Sequence, residues 1–448
     1  MITPQAFSTY TLKSLPQGEA VQRILSAAIA AVEPGAAVCR YFRRSGETLW
    51  ADQTAYDLRN FDRVWLVAVG KAALAMASMA AQVLGERLSG GLIVTKYAQT
   101  SEWVGLPVIC GGHPFPDASS VAAGQKLAAL LQPLGGRDLL VCCLSGGGSA
   151  LMTLPKVEVS LIGLQTVTMD LLTCGASISE INTLRRRLDR LKGGGLARLA
   201  APATVISLIL SDVVGDELHS IASGPTAPDP TTAEDVRRVL DRYGLAERLS
   251  PTVLRTLLES PETPKPGDAL FDRVQNVIVG SNLLAAQAAL QQAAEEGFQP
   301  YLLGTEVQGE ARQVGVELGQ TLRHALMHGE PVQRPACMVA GGETTVKLRG
   351  GGRGGRNQEL ALAAVTEIAN FPEALLVTLA TDGEDGPTDA AGAVVSGQTW
   401  LRSLNAGLYI PDFLMQNDSY SFFERLGDLL RPGPTGTNVN DLTFLLML

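Results

Sequence analysis

Two strand ends in the first half of the chain carry residues able to hold a phosphate. LLVCCLSGGGSAL (139–151) opens with an unbroken apolar run, Leu139 to Leu144, then turns abruptly at Ser145 and three glycines. An apolar run without polar alternation is the pattern of a strand buried on both faces of a parallel sheet. Consecutive glycines allow φ > 0 and let an anion approach backbone N–H groups without interference from Cβ atoms, and a helix expected to open near Ser149 adds partial positive charge. Ser145, Gly146, Gly147, Gly148 and Ser149 are therefore candidate nucleotide- or phosphate-binding residues; the alternative is a tight strand-to-helix turn with no ligand. VWLVAV (64–69) likewise runs into Gly70, Lys71 and an alanine-rich helix. Lys71 thus stands at the carboxyl end of a strand, where open α/β sheets place their ligands. A P-loop is excluded, because Trp65 stands where its first glycine belongs and Ala72 replaces its Ser/Thr. Lys71 remains a candidate phosphate lysine of another kind, and an idle lysine at a helix start is disfavoured by the macrodipole. Asp212 closes a third apolar strand (SLILSD, 207–212), a usual place to hold Mg²⁺ or a substrate hydroxyl.

The second half has its own glycine-rich segment, GGETTVKLRGGGRGGRNQELALAAVTEIA (341–369). Gly350, Gly352 and Gly355 match GxGxxG, and Asp382 ends the following strand much as a ribose-binding acid would, which taken alone is a dinucleotide fingerprint. Arg353, Arg356 and Asn357, however, stud the loop and helix start with donors suited to a carboxylate or a transferring phosphoryl group. Asp382, Glu384, Asp385 and Asp389 form an oxygen-rich cluster suited to Mg²⁺, with solvated turn residues the alternative for Glu384. In TGTNVND (435–441), Asn438 and Asp441 are candidate substrate contacts, a plain turn being the alternative. His324 and His328 are one helical turn apart, but HALMH lacks the glutamate of HExxH and reads as two surface histidines. In EINTLRRRLDRLKGGG (180–195), Arg185, Arg186 and Arg187 point in three directions around a helix, so at least one faces inward.

The elements that position these residues alternate. Strands are expected at 64–69, 92–95, 108–111, 139–144 and 204–211 with helices between them, which means a doubly wound parallel sheet. Residues 231–272 read as two helices and a proline-bearing break connecting two domains, and a second α/β series is expected from Val277. At 448 residues the chain exceeds one hydrophobic core. A net charge of −9 argues against a nucleic-acid surface. No apolar run approaches the roughly 20 residues needed to cross a bilayer, and the N-terminus lacks the pattern of a secretory signal. Six cysteines without CxxC spacing read as free thiols in a reducing cytosol.

These motifs together resemble the glycerate 2-kinase family, class II glycerate kinases with a C-terminal MOFRL domain, whose members are often labelled hydroxypyruvate reductases. The resemblance rests on VGKAA (69–73), GGHPFPD (111–117), LSGGGSAL (144–151), EINTLRRRL..LKGGGLA (180–197), LSDVVGD (210–216), ASGPTAPDPTT (222–232), GGETTV (341–346), GGRNQELAL (354–362), TDGEDGPTDAAG (381–392) and TGTNVNDL (435–442). It implies a cytoplasmic enzyme that transfers a phosphoryl group from ATP, with Mg²⁺, to the C2 hydroxyl of D-glycerate. It also implies a Rossmann-like domain (1–245), a smaller α/β domain (246–448, with the MOFRL region at about 334–442) and an active site in the cleft between them. Lys71 and Arg356 become the catalytic pair, Asp212 and Asp382 the metal acids, and Asn357, Asn438 and Asp441 the substrate contacts. ATP and D-glycerate are the implied partners, with no nucleic acid or membrane, and self-association is left open. The family usually reads Arg-Lys-His where this chain has Arg185, Arg186 and Arg187, so no histidine role is carried to position 187. The runner-up activity is an NAD(P)H-dependent hydroxypyruvate reductase. A non-catalytic sugar-acid binding protein is a third class, weakened by the two separate anion loops.

Overall fold

Every residue of the strand Asp138–Leu144 is buried, as its unbroken apolar run requires. In the computed structural model, which describes residues 2–97 and 105–448, this strand is central to a six-stranded sheet. Its order is Val108–Cys110, Leu88–Thr95, Arg63–Val69, Asp138–Leu144, Thr204–Leu210, Val274–Gly280, and the first five strands run parallel. In chain order this is 3-2-1-4-5-6, the doubly wound arrangement whose strand order reverses between Arg63–Val69 and Asp138–Leu144. The register pairs Val69 with Leu144, so the chain segments carrying Lys71 and the glycine triplet leave the sheet side by side at that reversal. Val67, Val69, Leu140, Cys142 and Leu144 pack with Leu127 and Leu131 in one core.

Four helices, Leu161–Thr173, Ile178–Leu188, Ala233–Arg242 and Pro251–Glu259, share a separate apolar core that includes Leu164, Leu171, Ile181, Leu184, Val236 and Leu257. The last two of them were expected to connect domains. Instead Ala233–Arg242 buries Val236, Val239 and Leu240 on one face, and that face belongs to this helical core.

The chain divides into two compact units, Pro34–Val279 and a second that joins the residues up to Glu33 to Gly280–Leu448. The expected division at 245/246 is corrected at two places. The strand beginning at Val274, expected to open the second domain, extends the first sheet beside Thr204–Leu210. The N-terminal helix Gly18–Ala31 buries Val21, Ile24, Leu25 and Ala28 and packs against the helix Asn282–Glu295 of the second unit. The Arg23–Glu296 ion pair at 2.7 Å closes that contact.

The second unit is built on a mixed sheet ordered Gln299–Glu310, Ala336–Thr345, Asp441–Met447, Ala374–Ala380, Gly392–Ser396, Leu429–Leu430. The C-terminal strand is central and antiparallel to both neighbours, with Asp441 paired to Gly342 on one side and Ala380 on the other. One end of this sheet therefore collects Asp441, the glycine loop that follows Ala336–Thr345, and Asp382. No single helix among the described residues is long and apolar enough to cross a membrane.

Candidate active site

At the sheet reversal the two loops brace each other. Lys71 N–H donates to the Gly146 carbonyl at 2.9 Å, and the Ser145 hydroxyl oxygen accepts from Ala72 N–H at 3.1 Å. Gly70 has φ +133, and a Cβ there would lie 2.1 Å from Ser145 Oγ, so only glycine lets the loops meet. Ser145 is buried, and its hydroxyl braces the two loops. The helix expected after the triplet is only the single turn Gly148–Leu151, too short for a macrodipole to contribute much. The anion seat rests on other groups. Gly147 is left-handed at φ 84, and the N–H groups of Gly146 and Gly147 find no acceptor among the described residues. Gly146 is buried, and buried backbone donors are rarely left so. Lys71 is exposed and its ammonium has no acidic partner among the described residues, while its stem passes 3.3 Å from where a Gly147 Cβ would be. Asp212 closes the other side, since a Cβ on Gly146 would sit 2.1 Å from its Oδ2.

Ser149 extends this arrangement into the helical core. Its hydroxyl lies 2.8 Å from Ser223 Oγ, which donates to Asn182 Oδ1 at 3.0 Å. Ala222 and Ser223 are both left-handed, at φ 49 and 62, a strained pair of the kind found where a site demands one exact placement. On the helix Ile178–Leu188, Arg186 is the inward arginine: it is buried, its Nε is 2.9 Å from Asp229 and it donates to the His219 carbonyl at 3.0 Å. Arg187, where the family usually has histidine, terminates a neighbouring helix. It donates to the carbonyls of Leu257 and Ser260 at 2.9 and 2.7 Å and lies 3.0 Å from Glu262. Lys192 and Asp189 form a buried ion pair at 2.7 Å that also ties down Met152 and Thr153.

His113 was not singled out by the sequence, although GGHPFPD was. Its Nε2 would be 3.2 Å from a Gly147 Cβ, which puts the imidazole against the glycine loop beside Lys71. Burial first, and then the charges of Lys71 and Lys96, lower its pKa from 6.5 to about 4. The ring is neutral at physiological pH and can exchange hydrogen bonds without adding charge to the seat. Because the folded value lies below the unfolded one, the associated stability is present above about pH 6.5 and is lost as pH falls toward 4. Imidazole NMR should show His113 neutral at pH 6, and Lys71→Met should raise its pKa only part of the way to 6.5, burial being the larger cause. A wild-type His113 titrating near 6.5 would refute this placement.

The candidates in the second unit meet at the end of its sheet. Arg356 Nε and Nη2 reach Asp441 at 2.5 and 3.1 Å, and Nη1 reaches Glu343 at 2.6 Å. Burial lowers its pKa, but the hydrogen bonds and charge of Asp441, with Glu343, more than offset that. The free fork expected from the sequence is thus already engaged by two acids. Asn357 is 1% exposed and its side chain bonds to Asp385 and Asp441, which supports those acids. Asn438 is half-buried and accepts from Asn440 N–H at 3.0 Å, while Asp441 is buried and committed to Arg356. Asp382 accepts from Glu384 N–H at 3.1 Å; burial, with Asp441 and Glu384 nearby, raises its pKa. No group of three or more His, Cys, Asp or Glu able to hold a metal occurs among the described residues.

The GxGxxG match does not form a dinucleotide site. Asn417 Oδ1 accepts from the Arg349 and Gly350 N–H groups at 2.7 and 3.0 Å, the Gln416 carbonyl from Gly352 N–H at 2.7 Å, and Asp418 from Arg353 N–H at 3.0 Å. A Cβ on Gly352 would lie 2.4 Å from Asp418, so that glycine serves packing. The start of the helix Arg356–Ala364 is capped by Asp385, which accepts from Asn357 and Gln358 N–H at 3.1 and 2.9 Å. Burial raises the Asp385 pKa to about 6 against those hydrogen bonds. Arg353 stacks 3.9 Å over the Tyr420 ring. The N–H groups of Arg349, Gly350, Gly352, Arg353, Asn357 and Gln358 are thus already used within the unit.

Residues 20–258 match a domain family described as of unknown function (DUF4147), and residues 336–441 match the MOFRL family. A glycerate 2-kinase of Pyrococcus horikoshii is 38% identical, covering 95% of this chain and 96% of its own. A putative hydroxypyruvate reductase of Agrobacterium vitis is 36% identical over 96% and 94%. The crystal structure of a Thermotoga maritima glycerate kinase superposes with a TM-score of 0.84 at 39% identity, over 95% of this chain and 98% of that one. The chain belongs to the glycerate 2-kinase family.

Proposed function

We propose that this protein transfers the γ-phosphoryl group of ATP to the C2 hydroxyl of D-glycerate, giving 2-phosphoglycerate and ADP. The observation that carries the reading is the pairing, at the strand-order reversal, of Lys71, whose ammonium has no acidic partner among the described residues, with the N–H groups of Gly146 and Gly147, which find no acceptor among them. Phosphoryl transfer asks a protein chiefly for positioning and charge neutralisation. Lys71 supplies the cation, the glycine N–H groups receive phosphate oxygens, and neutral His113 offers a hydrogen bond beside them. Asp212 lies against this anion seat, its Oδ2 2.1 Å from where a Gly146 Cβ would be. A single carboxylate together with phosphate oxygens is a common way to hold Mg²⁺. Asp212 is the acid beside this seat that would hold the metal, which when bound would neutralise charge on the nucleotide phosphates. The curated names of the glycerate kinases above support the substrate, and the closed GxGxxG loop disfavours the reductase.

The assay is turnover of ATP with D-glycerate and Mg²⁺, coupled to enolase without a mutase, so that only 2-phosphoglycerate feeds through. We expect robust coupled turnover and no oxidation of NADH or NADPH with hydroxypyruvate. Reduction of hydroxypyruvate faster than phosphorylation of glycerate would overturn the reading.

A further inference from the structure

Most arginines that are not fully exposed are accounted for. Arg44, Arg63, Arg186, Arg187, Arg312 and Arg356 each face an acid, and Arg87, Arg323 and Arg402 are likewise engaged. Arg185 is half-buried and has neither an acidic nor a carbonyl partner among the described residues. Burial alone lowers its pKa. A chain with 45 acidic and 36 basic residues has no shortage of carboxylates to place there. A desolvated cation left unpaired marks a position where a ligand supplies the counter-charge.

Its place in the fold says which ligand. Asn182 is tied through Ser223 to Ser149 at the glycine loop, and Arg185 follows Asn182 by three residues on the helix Ile178–Leu188, which sets the two side chains on neighbouring positions of one face. The charge of Arg185 is also felt by Lys192, whose ammonium donates to the Met152 carbonyl just behind the turn Gly148–Leu151. Both relations tie the helix position of Arg185 to the elements that back the glycine loop rather than to the Lys71 loop. A planar guanidinium fork matches a carboxylate in two parallel hydrogen bonds, whereas the point charge of lysine suits a phosphoryl group in transit.

We propose that Arg185 binds the carboxylate of the acceptor substrate and thereby selects hydroxy acids over neutral polyols. This rests on the reading of the chain as a glycerate kinase, and its test separates the two. Binding of D-glycerate and of ATP is measured by calorimetry on the full-length wild type, Arg185→Met and Arg185→Lys, and kcat/KM is measured for D-glycerate and its neutral amide, D-glyceramide. Arg185→Met should weaken D-glycerate binding by about 30- to 100-fold, the range for losing hydrogen bonds to a charged group. ATP binding should stay within about 2-fold, and the preference for glycerate over its amide should fall by the same factor as glycerate binding. Arg185→Lys should retain part of that preference, which also guards against a Met variant that folds poorly. Equal weakening of ATP would reassign the guanidinium to the nucleotide phosphates, and unchanged glycerate binding would return Arg185 to a solvated surface; either overturns the proposal. A wild type that phosphorylates neither acceptor, yet loses glycerate binding on Arg185→Met, would sink the kinase reading and leave the carboxylate site standing.

Discussion

Lys71→Ala should lower kcat by about 10³-fold, the order expected for removing one preorganised cation from a transition state, and change KM far less. The expectation follows from what Lys71 touches. Its main-chain N–H is committed to Gly146, but its ammonium is exposed and has no acidic partner among the described residues, so no structural bond is lost with it. Thermal unfolding should therefore be unchanged, and the loss should appear in the chemical step. Lys71→Arg keeps the charge but enlarges it in a seat bounded by His113 and Gly147, and recovers only part of the rate. Steady-state kinetics with D-glycerate and ATP, read beside a melting curve, decide the matter. Near-normal kcat in Lys71→Ala would make this an ordinary surface lysine.

Lys71 was legible because its position depends on local pattern alone: an apolar run, then Gly-Lys, then a helix. The same holds for Asp138–Leu144 and the glycine triplet. What the pattern could not convey is which distant group a side chain meets. Ser145 reads as an anion ligand, and the sequence does not reveal that its hydroxyl also accepts from Ala72, a partner supplied by another strand end. The three consecutive arginines are alike in sequence, yet one pairs with Asp229, one ends the helix Pro251–Glu259 and one is left open; their phases around the helix decide this, and the packing of four helices sets those phases. The GxGxxG match shows the opposite failure. The glycines are present for close approach, but the approaching chain is the segment 416–418 of the same unit rather than a pyrophosphate.

The domain border failed for a related reason. VQNVIVG reads as a strand whichever sheet it joins, and only pairing places it beside Thr204–Leu210. The N-terminal helix Gly18–Ala31 shows an apolar stripe without saying which helix will cover it. His113 could have been found earlier, since GGHPFPD puts the ring on a loop that follows a parallel strand, where ligand residues gather.

Arg356→Lys should cost about 10²- to 10³-fold in kcat while leaving ATP affinity within about 3-fold, if the guanidinium fork holds the reacting group rather than the nucleotide. The structure adds a complication that the sequence did not foresee: the fork is already held by Asp441 and Glu343. Asp441 is buried, and burial pushes its carboxyl pKa up while Arg356 pulls it back, so weakening the partner leaves an acid short of its counter-charge. Arg356→Lys should therefore also lose stability, by about 1–3 kcal/mol. The two effects separate in a double variant. Arg356→Lys with Asp441→Asn removes the stranded charge and should recover most of the melting temperature, but turnover should stay low, because an ammonium cannot replace the planar fork. Glu343 is the more exposed of the two acids and is the contact an incoming anion would displace. Equal loss of ATP binding and turnover would place Arg356 in the nucleotide site, and recovery of turnover together with stability in the double variant would reduce it to the partner of Asp441.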